Sequence, residues 1–348
     1  MYPNELKDLV KVDKNIEHIE LLLKTIPRVG IWGMSGIGKT TIAKQIFAKN
    51  FPYYDNVCFL EKISEESEKF GQIYVRNKLL SELLKQKITA SDVHGLHTFI
   101  KRRLFRKKVF IVLDDVDNVT QLDDLCQVLG DLGPNSRIII TTRDRHTLSG
   151  KVNEIYEVKT WKLKDSLNLF SLRAFKKDHP LKGYERVSEM AVKCAGGIPL
   201  ALQVLGSHFH DREPEFWESE LNDYVNKGGG FHEIQKVLRA SFNGLSWREK
   251  EMFLDIAFFF KGENKDIVTK ILDANGFNAT SGIKILEDKA LITISNNDRI
   301  QMHDLLQKMA FDIVREEYND RGKRSRLRDP KDICDVLGNN KVWSVDIF

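Results

Sequence analysis

The sequence predicts three folding units in order: an α/β domain with a parallel sheet flanked by helices, an all-α helical bundle, and a winged-helix domain. Three observations lead there. Short apolar runs alternate with amphipathic stretches as far as Val158, and about 130 residues then keep helical spacing with no strand signal. Finally, Leu291–Met302, LITISNNDRIQM, reads as a hairpin turning at Asn-Asn-Asp ahead of one more helix.

Taken along the chain, Ile16, Ile19, Leu22 and Leu23 give Asp13–Lys24 the spacing of an amphipathic helix. After Pro27 come a buried strand, Val29–Trp32, a glycine-rich turn and a helix through Lys49. Further strands are expected at Val57–Leu60, Val109–Leu113, Arg137–Thr142 and Ile155–Val158, separated by helices such as Gln72–Lys87 and Val119–Val128. Beyond them Leu167, Phe170, Ala174 and Phe175 repeat at helical spacing, as do Phe216, Trp217, Leu221 and Tyr224. Lys227–Gly230 reads as a hinge or loop, and Leu305–Glu316 is the helix after the hairpin. The expected boundaries are 1–160 for the sheet domain, 161–240 for the helical part and 241–330 for the winged helix, with 331–348 starting a linker. No repeat with a 20–50 residue period occurs, so a leucine-rich solenoid is not expected within this chain.

Composition excludes several classes. The 348 residues leave room for two or three cores, and 42% hydrophobic with 30% charged residues argue against wholesale disorder. The strongly apolar run Ile256–Phe260 is far shorter than the ~20 residues a membrane span needs. Cys58, Cys126, Cys194 and Cys334 are too scattered for a zinc site or a disulfide framework. The N-terminus lacks the basic-then-apolar build of a secretory signal, so a cytoplasmic location, with the nucleus as a second compartment, is expected. The net charge of +4 discriminates little.

The most specific signal is GMSGIGKTT, which matches G-x-x-x-x-G-K-[ST] between a predicted strand and a predicted helix. Gly33, Met34, Ser35, Gly36, Ile37, Gly38, Lys39, Thr40 and Thr41 are therefore taken as nucleotide-binding. Glycines let successive backbone N–H groups close around a phosphate chain, and the helix N-terminus adds positive partial charge. Lys39 can reach the β- and γ-phosphates, and the Thr40 hydroxyl can ligate Mg²⁺. The run Val109–Leu113 delivers Asp114 and Asp115 to the same sheet edge. Asp114 is assigned to the metal through water, and Asp115 to polarising an attacking water. One strand on, the run Ser136–Asp144, SRIIITTRD, places Thr142 and Arg143 at a strand terminus on the same edge, where a guanidinium can bind a γ-phosphate. These elements predict ATP or GTP binding, without choosing the base.

The downstream motifs are more particular. GGIPLAL (Gly196–Leu202), FLDIAFFFKGE (Phe253–Glu263) and QMHDLLQKMAFDIV (Gln301–Val314) follow in order, and the assembly resembles the NB-ARC module of plant intracellular immune receptors, a branch of the STAND class of P-loop NTPases. Asp117 of LDDVD and the FLDIAFFF string resemble the Toll/interleukin-1-receptor-type branch. The resemblance runs from about Leu9 to Asn340. It implies a P-loop domain, a helical bundle and a winged helix enclosing ADP at rest, with ATP and Mg²⁺ in the active state. It further implies that Pro199 packs near the adenine, that His303 contacts the ADP β-phosphate, and that Val10 belongs to the Leu-Val pair lining the base pocket. Lys11 stands where the family usually has glycine after that pair. Implied partners are the leucine-rich repeats and Toll/interleukin-1-receptor-type signalling domain of a parent receptor, a pathogen effector or guarded host protein, and further copies on activation.

Two other readings compete. A small-molecule kinase or mechanical ATPase would share the Gly33–Thr41 loop, but no acceptor-binding residues stand out. A DNA-binding regulator would use the winged helix, which lacks a visibly basic recognition helix, so no nucleic-acid partner is expected. The basic runs Lys101–Lys108 and Arg321–Arg328 read as solvated surface, and Phe258, Phe259 and Phe260 as core.

Overall fold

The computed structural model describes residues 13–88, 102–129, 132–227 and 242–338, together with 235, 238 and 239. Leu9, Val10, Lys11 and the glycines 228–230 lie outside the described residues. The chain divides into two compact units, Met1–Thr160 with Asp288–Ala290, and Trp161–Glu287 with Leu291–Phe348.

In the first unit, five strands form one sheet: β1 (Arg28–Trp32), β2 (Asn56–Leu60), β3 (Val109–Leu113), β4 (Arg137–Thr142) and β5 (Glu154–Glu157). Their order is β2-β3-β4-β1-β5, and every pairing is parallel. Helix α1 (Asp13–Thr25) precedes β1, and α2 (Lys39–Asn50), α3 (Ile63–Phe70), α4 (Gln72–Leu84) and α5 (Val119–Leu129) lie in the crossovers between β1 and β4. Every residue of β3 is buried, as the continuous apolar run required of a strand covered on both faces. The sequence reading located each strand to within a residue. It left α3 unassigned, because the charged run Ser64–Lys69 hides the single buried anchor Ile63.

The order of strands matters for the site. β4 lies between β1 and β3, with Leu113 paired to Ile140 and Trp32 paired to Thr142. The residues that follow each strand thus emerge side by side at the C-terminal edge, where open α/β sheets bind ligands.

The second unit has no strand between Trp161 and Ile292 among its described residues. Helices α6 (Leu163–Phe175), α7 (Glu185–Ala195), α8 (Pro199–Phe209) and α9 (Pro214–Lys227) surround buried Trp217, whose ring lies 4.8 Å from Phe209 and 5.6 Å from Phe170. The remainder comprises α10 (Trp247–Asp255), a π-helical turn at Ile256–Phe260, α11 (Lys265–Ala274) and α12 (Ala279–Asp288). A hairpin of β6 (Thr293–Ile294) and β7 (Ile300–Gln301), then α13 (Asp304–Glu317) and α14 (Pro330–Gly338), complete it. Ser246 and Glu249 form a reciprocal capping box at the start of α10.

Two expectations are corrected here. Phe259 is 51% exposed and its neighbours Phe258 and Phe260 are only half-buried, because the π turn rotates the triplet off the core face set by Ile256 and Ala257. In the run Arg321–Arg328, Arg326 is not solvated but 9% exposed, held by Glu251 and Asp255 at 2.7 Å each.

Candidate nucleotide-binding site

The glycine-rich turn leaves β1 with Gly33, Gly36 and Gly38 at φ of 155°, 76° and 102°. Gly36 and Gly38 occupy the left-handed region that side chains resist, so this loop requires glycine there. A Cβ at Gly38 would meet nothing within 4 Å, so conformation rather than space sets that requirement. Gly38 is the N-cap of α2 and supplies no side-chain bond, leaving the first N–H groups of that helix for an anion.

Lys39 is buried, and its Nζ donates to the carbonyls of Gly33 at 2.7 Å and Met34 at 3.0 Å. Burial, with the neighbouring Arg143 guanidinium second, lowers its pKa to about 7. An ammonium held in this way fits a phosphate chain, whose charge opposes both effects.

The Thr40 hydroxyl donates to the Asp114 carboxylate at 2.9 Å, and Thr141 donates to the same carboxylate at 2.7 Å. Thr141 also accepts from the backbone N–H of Asp115 at 2.9 Å. This link follows from register: Leu113 pairs with Ile140, so Asp114 emerges beside Thr141. Burial raises the Asp114 pKa, and the bonds from Thr141 and Thr40 work against that rise. Thr40 and Asp114 thus form a hydroxyl–carboxylate pair of the oxygen type that Mg²⁺ prefers. Among the described residues no group of three or more His, Cys, Asp or Glu converges, so phosphate oxygens and water would complete such a coordination shell.

Asp115 has the left-handed φ of 56°, unusual for a non-glycine residue. It faces Arg143, whose Nε and Nη2 lie 3.3 and 3.4 Å from its two carboxylate oxygens. Arg143 is therefore tied to the same edge as Lys39 and Asp114. Thr142, expected beside Arg143 at the site, instead bonds within the turn, accepting from the Asp144 N–H at 3.0 Å. Thr141 is the functional residue that sequence reasoning missed. The alternation of β4, which places Thr141 and Arg143 two apart, was the available signal.

The two remaining site candidates belong to the second unit. Pro199 is buried at the first position of α8, where proline is favoured. Three residues earlier, Gly196 ends α7 at φ 58° and packs so tightly on His303 that a Cβ would lie 2.3 Å from the ring Cε1. The His303 Nδ1 accepts from the Leu305 N–H at 3.2 Å, so Nε2 carries the hydrogen and donates to the Gly196 carbonyl at 2.9 Å. His303 is thus the N-cap of α13 and Asp304 its first residue. The GGIPLAL turn and the Met-His-Asp turn meet at one hydrogen bond.

Residues 12–180 match the NB-ARC domain family, and residues 246–318 match the winged-helix domain of Roq1-like disease resistance proteins. Disease resistance protein RUN1 of Vitis rotundifolia is 43% identical over 335 residues, covering 93% of this chain and 25% of that protein. TMV resistance protein N of Nicotiana glutinosa is 40% identical over 346 residues, covering 96% of this chain and 30% of that protein. The chain therefore spans between a quarter and a third of the length of these relatives. Among solved structures, the Walker-type ATPase PABY2304 of Pyrococcus abyssi shares the fold, with a TM-score of 0.60 at 14% identity over 88% of this chain and 97% of that one. No helix among the described residues is long and apolar enough to cross a membrane. A glycine loop with a buried lysine, a threonine–aspartate pair joining the first turn of α2 to the end of β3 and these sequence matches have one common explanation: the chain carries an NB-ARC nucleotide-binding domain of P-loop ATPase fold, followed by a Roq1-like winged-helix domain.

Proposed function

We propose that this chain is the ADP/ATP switch of a plant immune receptor of the Toll/interleukin-1-receptor-type branch. The observation that carries the reading is the convergence of Lys39, Thr40, Asp114 and Arg143 on the edge reached by the glycine loop. Lys39 would bind the β- and γ-phosphates, Thr40 and Asp114 would hold Mg²⁺ with ATP, and Arg143 would exchange Asp115 for the γ-phosphate. Asp115, released from Arg143, would then polarise water for hydrolysis. No further arginine stands out in the sequence for that step, and such a residue is worth ~10³–10⁵ in rate, so hydrolysis would be slow and would reset the switch.

In this reading ADP also touches the second unit, the adenine against Pro199 and the β-phosphate at His303. The His303 Nε2–H, which donates to the Gly196 carbonyl while Nδ1 accepts from Leu305, would have to turn from that carbonyl to the phosphate when ADP binds. A swing from 1:99 to 99:1 needs about 5.5 kcal/mol of differential binding. One γ-phosphate contact does not comfortably supply that, so a pathogen effector or guarded host protein, sensed through the rest of the receptor, would add the remainder. Self-association would follow opening, and the receptor would act in the cytoplasm and nucleus.

The test is the nucleotide that copurifies. Denatured wild-type protein should release stoichiometric ADP, identified by mass spectrometry, and Lys39→Ala protein should release none. A folded wild-type preparation free of adenine nucleotide, or steady phosphate release well above one turnover per minute, would overturn the switch in favour of another P-loop chemistry.

A further inference from the structure

The segment Arg321–Arg328 builds a cavity in the second unit that the nucleotide chemistry does not use. Arg326 anchors it: Nε meets Asp255 and Nη2 meets Glu251, both at 2.7 Å, and Nη2 also bonds the Glu251 carbonyl at 3.2 Å. With Arg326 pinned to α10, Leu327 and Arg328 line, with Phe258 and Phe311, a half-open cavity of about 300 Å³. The two phenylalanine rings meet edge to face at 4.8 Å, which makes one wall aromatic.

The rest of the lining is strongly cationic. Arg315, Arg324 and Arg328 reach the cavity beside Arg326, against the carboxylates of Asp329 and Asp332. Arg326 is matched by Glu251 and Asp255, and Asp332 is shared between Arg324 at 3.8 Å and Arg321 at 3.3 Å. Arg328 has no carboxylate within ion-pair reach among the described residues. Its guanidinium lies 5.3 Å over the Phe311 ring instead. A guanidinium stacked in this way is weakly hydrated and keeps its N–H fork free for an anion.

We infer that this cavity binds a small aromatic phosphate monoester, with the ring on Phe258 and Phe311 and the dianion between Arg324 and Arg328. The volume lies at the small end of ligand pockets and suits one ring with one phosphoryl group. An apolar ligand would leave Arg328 without a counter-charge, and a bare anion would leave the aromatic wall without a partner.

Isothermal calorimetry with phenyl phosphate, inorganic phosphate and phenol tests the inference on the 348-residue chain, on Lys39→Ala and on Arg324→Gln/Arg328→Gln. Phenyl phosphate should bind the wild type at least tenfold more tightly than either fragment compound. Binding should survive Lys39→Ala and fall at least tenfold in the arginine double variant, whose ADP affinity and circular dichroism should match the wild type. Should the double variant not fold, Arg328→Lys, which keeps the charge but loses the fork, should still weaken phenyl phosphate several-fold. Equal affinity for phenyl phosphate and inorganic phosphate would reveal an unspecific anion site and overturn the inference. So would loss of binding in Lys39→Ala, or undiminished binding in the arginine variants.

Discussion

Lys39 offers a sharp test of the site's electrostatics, because its ammonium is buried where the protein itself disfavours the charge. Burial and the adjacent Arg143 take its pKa from 10.5 to about 7. At 1.36 kcal/mol per unit, that difference of 3.5 units corresponds to about 5 kcal/mol against the charged form in the nucleotide-free fold. The sign follows from proton counting. Between pH 7 and 10.5 the unfolded chain holds a proton on Lys39 that the folded chain does not, so stability rises with pH by up to about 1.4 kcal/mol per unit. Below pH 7 both states are protonated and the full penalty is present. Lys39→Met removes the titrating group together with its bonds to Gly33 and Met34, whose loss costs about 1–3 kcal/mol at every pH. Urea unfolding of nucleotide-stripped protein should therefore show the variant at its relative best at pH 6–7, with the wild type gaining about 3 kcal/mol on it by pH 9. Nucleotide affinity should fall over the same window, by up to roughly tenfold per unit, because a bound phosphate must restore the proton. A stability difference between the two proteins that stays level from pH 7 to 9, or moves the other way, would refute the assignment of Lys39 as a destabilised, phosphate-seeking cation.

Three further outcomes follow from the geometry. Thr141→Val should weaken Mg²⁺-dependent ATP binding several-fold while sparing Mg²⁺-independent ADP binding, because Asp114 loses its 2.7 Å donor; titrations with and without Mg²⁺ measure the split. Arg143→Gln should reduce the preference for ATP over ADP by about tenfold or more, read from the ratio of the two Kd values, since a charge-assisted contact is worth about 1.5–3 kcal/mol. Gly206→Ala should destabilise the second unit by about 1–3 kcal/mol in chemical denaturation, because a Cβ there would lie 2.6 Å from the Arg173 Cβ and 2.8 Å from the Phe170 carbonyl at the crossing of α6 and α8.

The parts of this site that were legible in the sequence are those whose chemistry restricts residue type. A left-handed backbone that must wrap phosphate leaves Gly36 and Gly38 little alternative, and a sheet covered on both faces leaves β3 wholly apolar, so both announce themselves. Thr141 did not, because a threonine in a strand satisfies β-propensity alone, and only the β3–β4 register turns it into a donor to Asp114. The pairing of Arg143 with Asp115 was hidden for the same reason, as 28 residues separate them and register brings them together. Arg326 was misread because eight residues rich in positive charge look solvated, whereas the two acids that bury it come from a helix more than 70 residues earlier.

The central claim is that one adenine nucleotide is held at once by the glycine loop and by the turn bearing His303. The rate at which a fluorescent ADP analogue leaves the protein measures it most directly, compared between wild type and His303→Ala in stopped flow. The account predicts release at least tenfold faster in the variant, with the wild-type unfolding transition of the first unit retained. An unchanged rate in a folded variant would contradict it, because the second unit would then have no hold on the nucleotide.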